Sequence, residues 1–335
     1  MIIQSFSLSN PQGAKVSFSN IGAGITSIIV PDAEGKMHDV VLGYKNLEDY
    51  IGDGPCMGKV PGRYANRIAK GKMTINGRDY TLPINNGDNH LHGGPEGFAN
   101  KLWEGRQKGN RVIFTYTSKA GEMGYPGNLT ASVEYSWSED NELTMVLKAK
   151  TDETTVVNLT NHTYFNLKGE GNGNILDHEL KLYAHHYLPT DSGLIPTGEL
   201  AKVEDTPMDF TTFKLLGEDI KKDFPALNYG KGYDNCWVVD NYKQGDERVC
   251  AELICKEAKR RLIISTTQPG VQIYTGNWLS GSPMSKSGKF YNDYDGVAIE
   301  CQAFPDSINK PNFPSVLLTP QQEYVQTIKF KFTTL

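Results

Sequence analysis

Apolar and polar side chains alternate with a period of two along most of this chain, and that alternation restricts the fold more than any other feature. Leu143, Met145, Leu147 and Ala149 fall on one face of an extended backbone, while Thr144, Val146, Lys148 and Lys150 fall on the other. Only a strand sends successive side chains to opposite sides, so the stretch reads as half-buried β-structure. Near the C-terminus Ile328, Phe330 and Phe332 alternate with Thr327, Lys329 and Lys331, which predicts that the chain ends in a core strand. Strand-like runs also cover residues 112–117, 129–137, 154–159, 248–256, 261–266, 271–274 and 296–304. Asn76-Gly77 between Met73-Thr74-Ile75 and Arg78-Asp79-Tyr80 predicts a type I′ hairpin, because both central residues need positive φ.

Only residues 211–224 and 46–51 read as helical, too little to supply repeated βαβ crossovers, so a doubly wound sheet is excluded. Glycine (34) and proline (17) make up about 15% of the 335 residues, against roughly 12% in an average chain, as frequent strand reversals require. No repeat or linker interrupts the pattern; residues 169–174 and 240–247 read as exposed loops. The expectation is an all-β, large antiparallel β-sandwich with residues 1–335 as a single domain.

The net charge is -5 and the only basic cluster is KEAKRR at 256–261, so nucleic acid is an unsuitable partner. No apolar stretch approaches the roughly 18 to 20 residues of a membrane span, and the first residues lack the basic and apolar regions of a signal peptide. The five cysteines are odd in number and contain no CxxC, which argues against a disulfide framework or a thiolate zinc site. Reduced thiols in a cytoplasmic protein are expected.

Several segments carry chemistry. Asn89-His90-Leu91-His92-Gly93-Gly94 puts two imidazoles before a glycine pair that allows close backbone approach. Exposed loop histidines would satisfy the same pattern, and His90-x-His92-x3-Glu96 also has a cupin-like metal spacing, although a further histidine on a paired strand would be needed. Residues 159–167 (LTNHTYFNL) read as a strand presenting Asn161, His162, Tyr164 and Asn166. Burying such groups costs stability unless each is partnered, so they suit a ligand surface or a backbone-satisfied core histidine. Glu300 stands in the otherwise apolar run 296–304; desolvation raises a carboxyl pKa, which suits a general base, with a buried ion pair as the alternative. Cys301 falls on the opposite side of that strand. Arg67, within GRYANRI at 62–68, offers a rigid donor fork for hydroxyl or carboxylate oxygens. With GYDN at 232–235 and PGVQIY at 269–274, these groups suggest a polyol pocket whose aromatic faces cover the C–H side of a sugar ring.

Taken in order, GRYANRI, HLHGG, LTNHTYFNL, AHHYLPTDSGLIPTGEL, GYDN, TTQPGVQIYTGN and AIECQAFPDSIN resemble the aldose 1-epimerase (galactose mutarotase) family along the whole chain. The resemblance implies a supersandwich of the galactose mutarotase type and interconversion of the α and β anomers of hexoses such as galactose and glucose, with a monosaccharide substrate, no cofactor and no metal. It implies Glu300 as general base and His162 as general acid. Asn66, Arg67, His92, Asp234 and Gln272 match sugar-contacting positions, and Tyr164 flanks the acid. A protonated His162 beside an ionised Glu300 is the expected pairing. His185 and His186 receive no role, and a monomer is expected. A carbohydrate-binding module or a glycoside hydrolase would share the pocket and fold class, but a hydrolase needs two carboxylates, and Asp234 is the obvious second acid.

Overall fold

The computed structural model describes residues 2–335. Its larger sheet has nine strands in the order Lys214–Leu215, Glu179–Leu182, Arg248–Cys255, Arg260–Thr266, Tyr324–Thr334, Glu142–Thr151, Leu129–Trp137, Arg111–Ser118 and Glu104–Gln107. Every neighbouring pair is antiparallel. A second antiparallel sheet has six, in the order Tyr164–Phe165, Val297–Gln302, Gly270–Tyr274, Asp234–Val238, His186–Tyr187 and Ala201–Lys202. Four N-terminal strands between Ser5 and Asp39 form a third.

One continuous core lies between these layers. Leu143, Met145, Leu147 and Ala149 are buried in it, as are Val271, Ile273, Val297, Ile299 and Cys301 from the smaller sheet. The Phe165 ring meets Phe330 with centroids 5.1 Å apart, and the Cys250 and Cys301 sulfurs lie 3.6 Å apart across the sandwich. Burying each large aliphatic or aromatic side chain contributes roughly 1.5–3 kcal/mol. A one-residue slip would turn a whole strand's set to the wrong face, so the alternation also sets which residues point away from the core. On the smaller sheet those are Glu300, Gln272, Tyr274, Asp234 and Tyr164, the opposite parity to the core set.

The all-β antiparallel sandwich, the hairpin and the closing core strand are as expected. Asn76 and Gly77 both have positive φ between Lys72–Ile75 and Arg78–Thr81. Two local expectations fail. Residues 211–224 do not form one helix: Lys214–Leu215 joins the edge of the nine-stranded sheet, Leu216–Asp219 makes one turn, and a separate helix runs Pro225–Gly230. The Leu216 and Gly217 amides donate to His178 and Leu176 carbonyls instead of closing a longer helix, and Pro225 starts a helix better than it continues one. At 46–51 only a single 3₁₀ turn, Leu47–Tyr50, forms.

Residues 159–167 are also not one strand. Only Tyr164–Phe165 pairs with the sheet, through Ala298 and Val297. The His162 amide instead donates to the Lys59 carbonyl, and the His162 carbonyl accepts from the Gly58 amide. The polar neighbours are spent on backbone: Asn158 donates to the Ala65 carbonyl, Thr160 to Cys301 and Asn161 to Gly58. These asparagines and threonines are structural staples.

Candidate active site

The core-averted face of the smaller sheet is the floor of an open cleft of about 1020 Å³. Asn66, Arg67, His92, His162, Tyr164, Asp234 and Glu300, all expected from sequence, line it. Tyr274, the last residue of PGVQIY, lines it too, pointing the same way as Gln272, and so do Asn86 and Trp278, which the sequence did not single out. Trp278, 65% exposed, is one of the few large aromatics left in solvent, and the Lys231 ammonium covers one of its faces at 4.3 Å.

Glu300 and His162 are brought together by different means. Glu300 stands mid-strand, opposite Gln272 in register, and is 2% exposed. His162 hangs from the backbone bridge to Gly58 and Lys59, which puts its Nε2 3.4 Å from Glu300 Oε1. Glu300 Oε2 and His162 Nδ1 have no protein partner, so both groups keep hydrogen-bonding capacity for a ligand.

His92 completes the trio from a third element. Arg67–Ile68 pairs with His90–Leu91, and beyond that bridge the chain turns back through Gly93. There φ is +84° and a Cβ would lie 1.7 Å from the Gly62 carbonyl oxygen, so only glycine fits. The turn lets the His92 amide donate to the Asn66 carbonyl while the Asn66 amide donates to His92 Nδ1. With Nδ1 accepting, the proton of the neutral ring sits on Nε2, making His92 a donor. Its ring stands edge-on to His162, centroids 5.2 Å apart. Asn66 Oδ1 accepts from the Arg67 amide, which leaves the Asn66 amide nitrogen for a ligand.

Arg67 is held by Asn86 Oδ1 at 3.0 Å and lies 3.6 Å from Asp234. Gln272 lies on the same face, opposite Glu300 in register, and donates to Asp234 Oδ1 at 2.7 Å while its own Oε1 has no protein partner. The second arginine of GRYANRI, Arg63, is wholly structural: its guanidinium is buried on Ser118, Pro126 and Lys119.

Burial sets the protonation. It pushes the Glu300 carboxyl well above the usual carboxylate range, helped by the nearby Asp234 charge and opposed by Arg67. It lowers His162 to about 4, with the Lys59 charge acting in the same direction. His92 is held well below the usual imidazole range by burial and by His162. Both shifts run toward a protonated Glu300 and a neutral His162, away from the protonated histidine beside an ionised glutamate expected from sequence, because burial disfavours the charged form of each group.

His92, His162 and Glu300 offer ligand atoms within 4.8 Å of one another, close enough to suggest a metal. The donor set does not fit one. His92 Nδ1 already accepts from the Asn66 amide, so Nε2 carries the proton and could bind a cation only as an imidazolate or by breaking that bridge. The cupin-like spacing fails as well. His90 turns away to the Pro83 carbonyl and the Tyr125 hydroxyl, and Glu96 pairs with Lys101.

The family model for aldose 1-epimerase matches residues 4–331. The galactose mutarotase of Bos taurus is 43% identical over 331 residues, covering 99% of this chain and 94% of that one. The aldose 1-epimerase of Escherichia coli (strain K12) is 36% identical over 328 residues, covering 97% and 94%. The crystal structure of a GalM/aldose epimerase homologue from C. elegans superposes with a TM-score of 0.91 at 28% identity, covering both chains completely. The chain belongs to the aldose 1-epimerase family. It is an enzyme, an isomerase with mutarotase activity.

Proposed function

We propose that the chain interconverts the α and β anomers of galactose, glucose and related aldoses, with Glu300 as general base and His162 as general acid. The observation that carries this reading is the 3.4 Å approach of His162 Nε2 to Glu300 Oε1 on the floor of the cleft. A hexose has twelve heavy atoms. At no more than a water's share of about 30 Å³ each it needs less than about 360 Å³, so the cleft of about 1020 Å³ admits it with its outer hydroxyls in solvent.

The C1 hydroxyl donates to Glu300 and the ring oxygen accepts from His162, hydrogen bonds that favour the charged forms of both groups. Glu300 then takes the C1 hydroxyl proton as the C1–O5 bond breaks, and His162 gives its proton to O5. The product is the open-chain aldehyde between a protonated Glu300 and a neutral His162. Rotation about C1–C2 presents the other carbonyl face. Reclosure returns the Glu300 proton to the carbonyl oxygen while His162 recovers the O5 proton, so the enzyme ends as it began. His92 Nε2–H donates to charge developing near the ring oxygen. Asn66, Arg67 and Asp234 hold ring hydroxyls, Gln272 orients Asp234, and Tyr164 and Tyr274 cover the apolar side of the ring.

The reading extends to residues 1–335 as one catalytic domain, since contributions from Asn66 to Glu300 line one cleft, and to a cytoplasmic monomer. Among the described residues no helix is long and apolar enough to cross a membrane. The test is polarimetry on freshly dissolved α-D-galactose. His162→Gln should reduce the enzymatic rate ~10²-fold or more, the scale of general acid catalysis, and a near wild-type rate would reject His162 as the acid.

A further inference from the structure

The acid of the proposed reaction hangs from a loop, and that loop is fastened by two charges that solvent does not reach. Asp53 and Lys59 form an ion pair in which both side chains are 0% exposed. The Lys59 ammonium also donates to the Tyr50 carbonyl and to Asn100 Oδ1, while Asp53 Oδ2 accepts from the Tyr44 hydroxyl and the Met57 amide, both at 2.9 Å. Apart from Asp53 Oδ1, which has only the Lys59 ammonium beside it, the polar atoms of the pair are hydrogen-bonded inside residues 44–100. Removing one partner from such a pair leaves an uncompensated buried charge, whereas a fully satisfied pair fixes a unique geometry.

What the pair fixes is the acid side of the cleft. Between its members the chain runs through Pro55, whose carbonyl accepts from the Tyr164 hydroxyl at 2.9 Å, and Gly58, whose amide donates to the His162 carbonyl at 2.9 Å. Lys59 itself accepts from the His162 amide at 2.8 Å. Gly58 is clamped from behind: its carbonyl accepts from the Ile25 amide and from Asn161, and at φ +70° a Cβ would lie 2.0 Å from the Ile25 carbonyl oxygen. Both backbone hydrogen bonds of His162 and the hydroxyl of Tyr164 thus end on one seven-residue loop. Glu300, by contrast, is held by the sheet and has no bond to that loop.

We propose that the buried Asp53–Lys59 pair is the positioning element of the acid, holding the His162 imidazole against Glu300. Neither residue lines the cleft, so they act through His162 and Tyr164. The groups facing the His162 ring are Glu300 at 3.4 Å, His92, Tyr164 and Tyr274 with ring centroids at 5.2, 5.0 and 6.3 Å, and Lys59 behind its backbone. Of these Lys59 is the fixed positive charge, and its removal makes protonation of His162 easier.

The inference rests on His162 being the acid, and the experiment separates the two. Lys59→Met and the double variant Asp53→Asn/Lys59→Met are compared with wild type by polarimetric kcat and KM for galactose, thermal melting, and NMR titration of the His162 imidazole. The double variant leaves no lone buried charge and covers the case in which Lys59→Met does not fold. The expected result is a kcat lowered ~10-fold or more in each folded variant, following the steep dependence of catalysis on geometry, a KM within about twofold, and a His162 titration moved to higher pH in Lys59→Met. A lower melting temperature with unchanged kcat and an unmoved titration would make the pair merely structural and overturn the proposal. Should the titration move while His162→Gln keeps wild-type activity, positioning of the imidazole would stand and the acid assignment would fall.

Discussion

Replacing Glu300 by glutamine keeps the shape of the side chain and removes its ability to accept a proton. A positioned general base contributes ~10²–10⁴-fold, which at 1.36 kcal/mol per factor of ten raises the barrier by about 2.7–5.4 kcal/mol. KM should change little, since the amide fills the same space and still accepts a hydrogen bond through its oxygen. Stability should move the other way. Folding raises the Glu300 pKa by burial, so the folded wild type holds a proton that the unfolded chain releases, and its stability falls as pH rises from the unfolded value through the folded one. Glutamine has no such dependence, so the variant should melt no lower than wild type near neutrality and increasingly higher at alkaline pH. Polarimetry of fresh α-D-galactose, corrected for spontaneous mutarotation, and thermal melts from pH 5 to 9 measure both effects. A kcat within threefold of wild type would refute the assignment of the base; a melting temperature well below wild type at pH 8 would refute the account of a strained buried carboxyl.

The charges around Glu300 give predictions of opposite sign. Asp234 raises its pKa and Arg67 lowers it, so the alkaline limb of kcat/KM should move to lower pH in Asp234→Asn and to higher pH in Arg67→Met, beyond any loss of sugar affinity. The arginines of GRYANRI should separate cleanly. Arg63→Ala leaves the Ser118, Pro126 and Lys119 acceptors without their donor and should cost several kcal/mol of stability, at about 1–3 kcal/mol for each buried acceptor left unpaired, with kcat retained in the folded fraction, whereas Arg67→Ala should raise KM with a smaller change in melting. Finally, EDTA should leave the rate unchanged, because the His92–Asn66 bridge occupies the nitrogen a metal-binding tautomer would need to protonate; loss of activity restored by zinc would contradict that tautomer.

What the sequence reveals and hides follows the range of the forces involved. Leu143 to Ala149 is legible because a strand's burial pattern is written in consecutive residues. The stretch 159–167 is extended too, but its hydrogen bonds go to Gly58 and Lys59, about a hundred residues away, and no local pattern distinguishes that bridge from a sheet. Arg63 and Arg67 look equivalent in a loop, and only the positions of Ser118 and Asn86 make one a staple and turn the other to the cleft. Glu300 and His162 stand out because a carboxylate or an imidazole among apolar residues needs a reason wherever the chain goes. Asp53 and Lys59 do not, since an acid and a base six positions apart normally lie in solvent, and nothing in their neighbours announces complete burial.

The direction in which burial shifts Glu300 and His162 has a consequence for a reaction that must run equally well in both directions. In the proposed reaction the two anomers react with an ionised Glu300 and a protonated His162, and the open-chain stage needs the opposite arrangement. Burial biases the empty pair toward the neutral arrangement, which is the one required at the least stable stage of the sugar. Substrate hydrogen bonds must then shift the proton to His162 on binding, so part of the binding energy of the ring form is spent on reaching the reactive state. A site that favoured the ion pair outright would bind the ring more tightly and reach the aldehyde less readily. The low-dielectric setting of Glu300 and His162 thereby narrows the gap between the ring-bound and open-chain stages, whichever anomer enters.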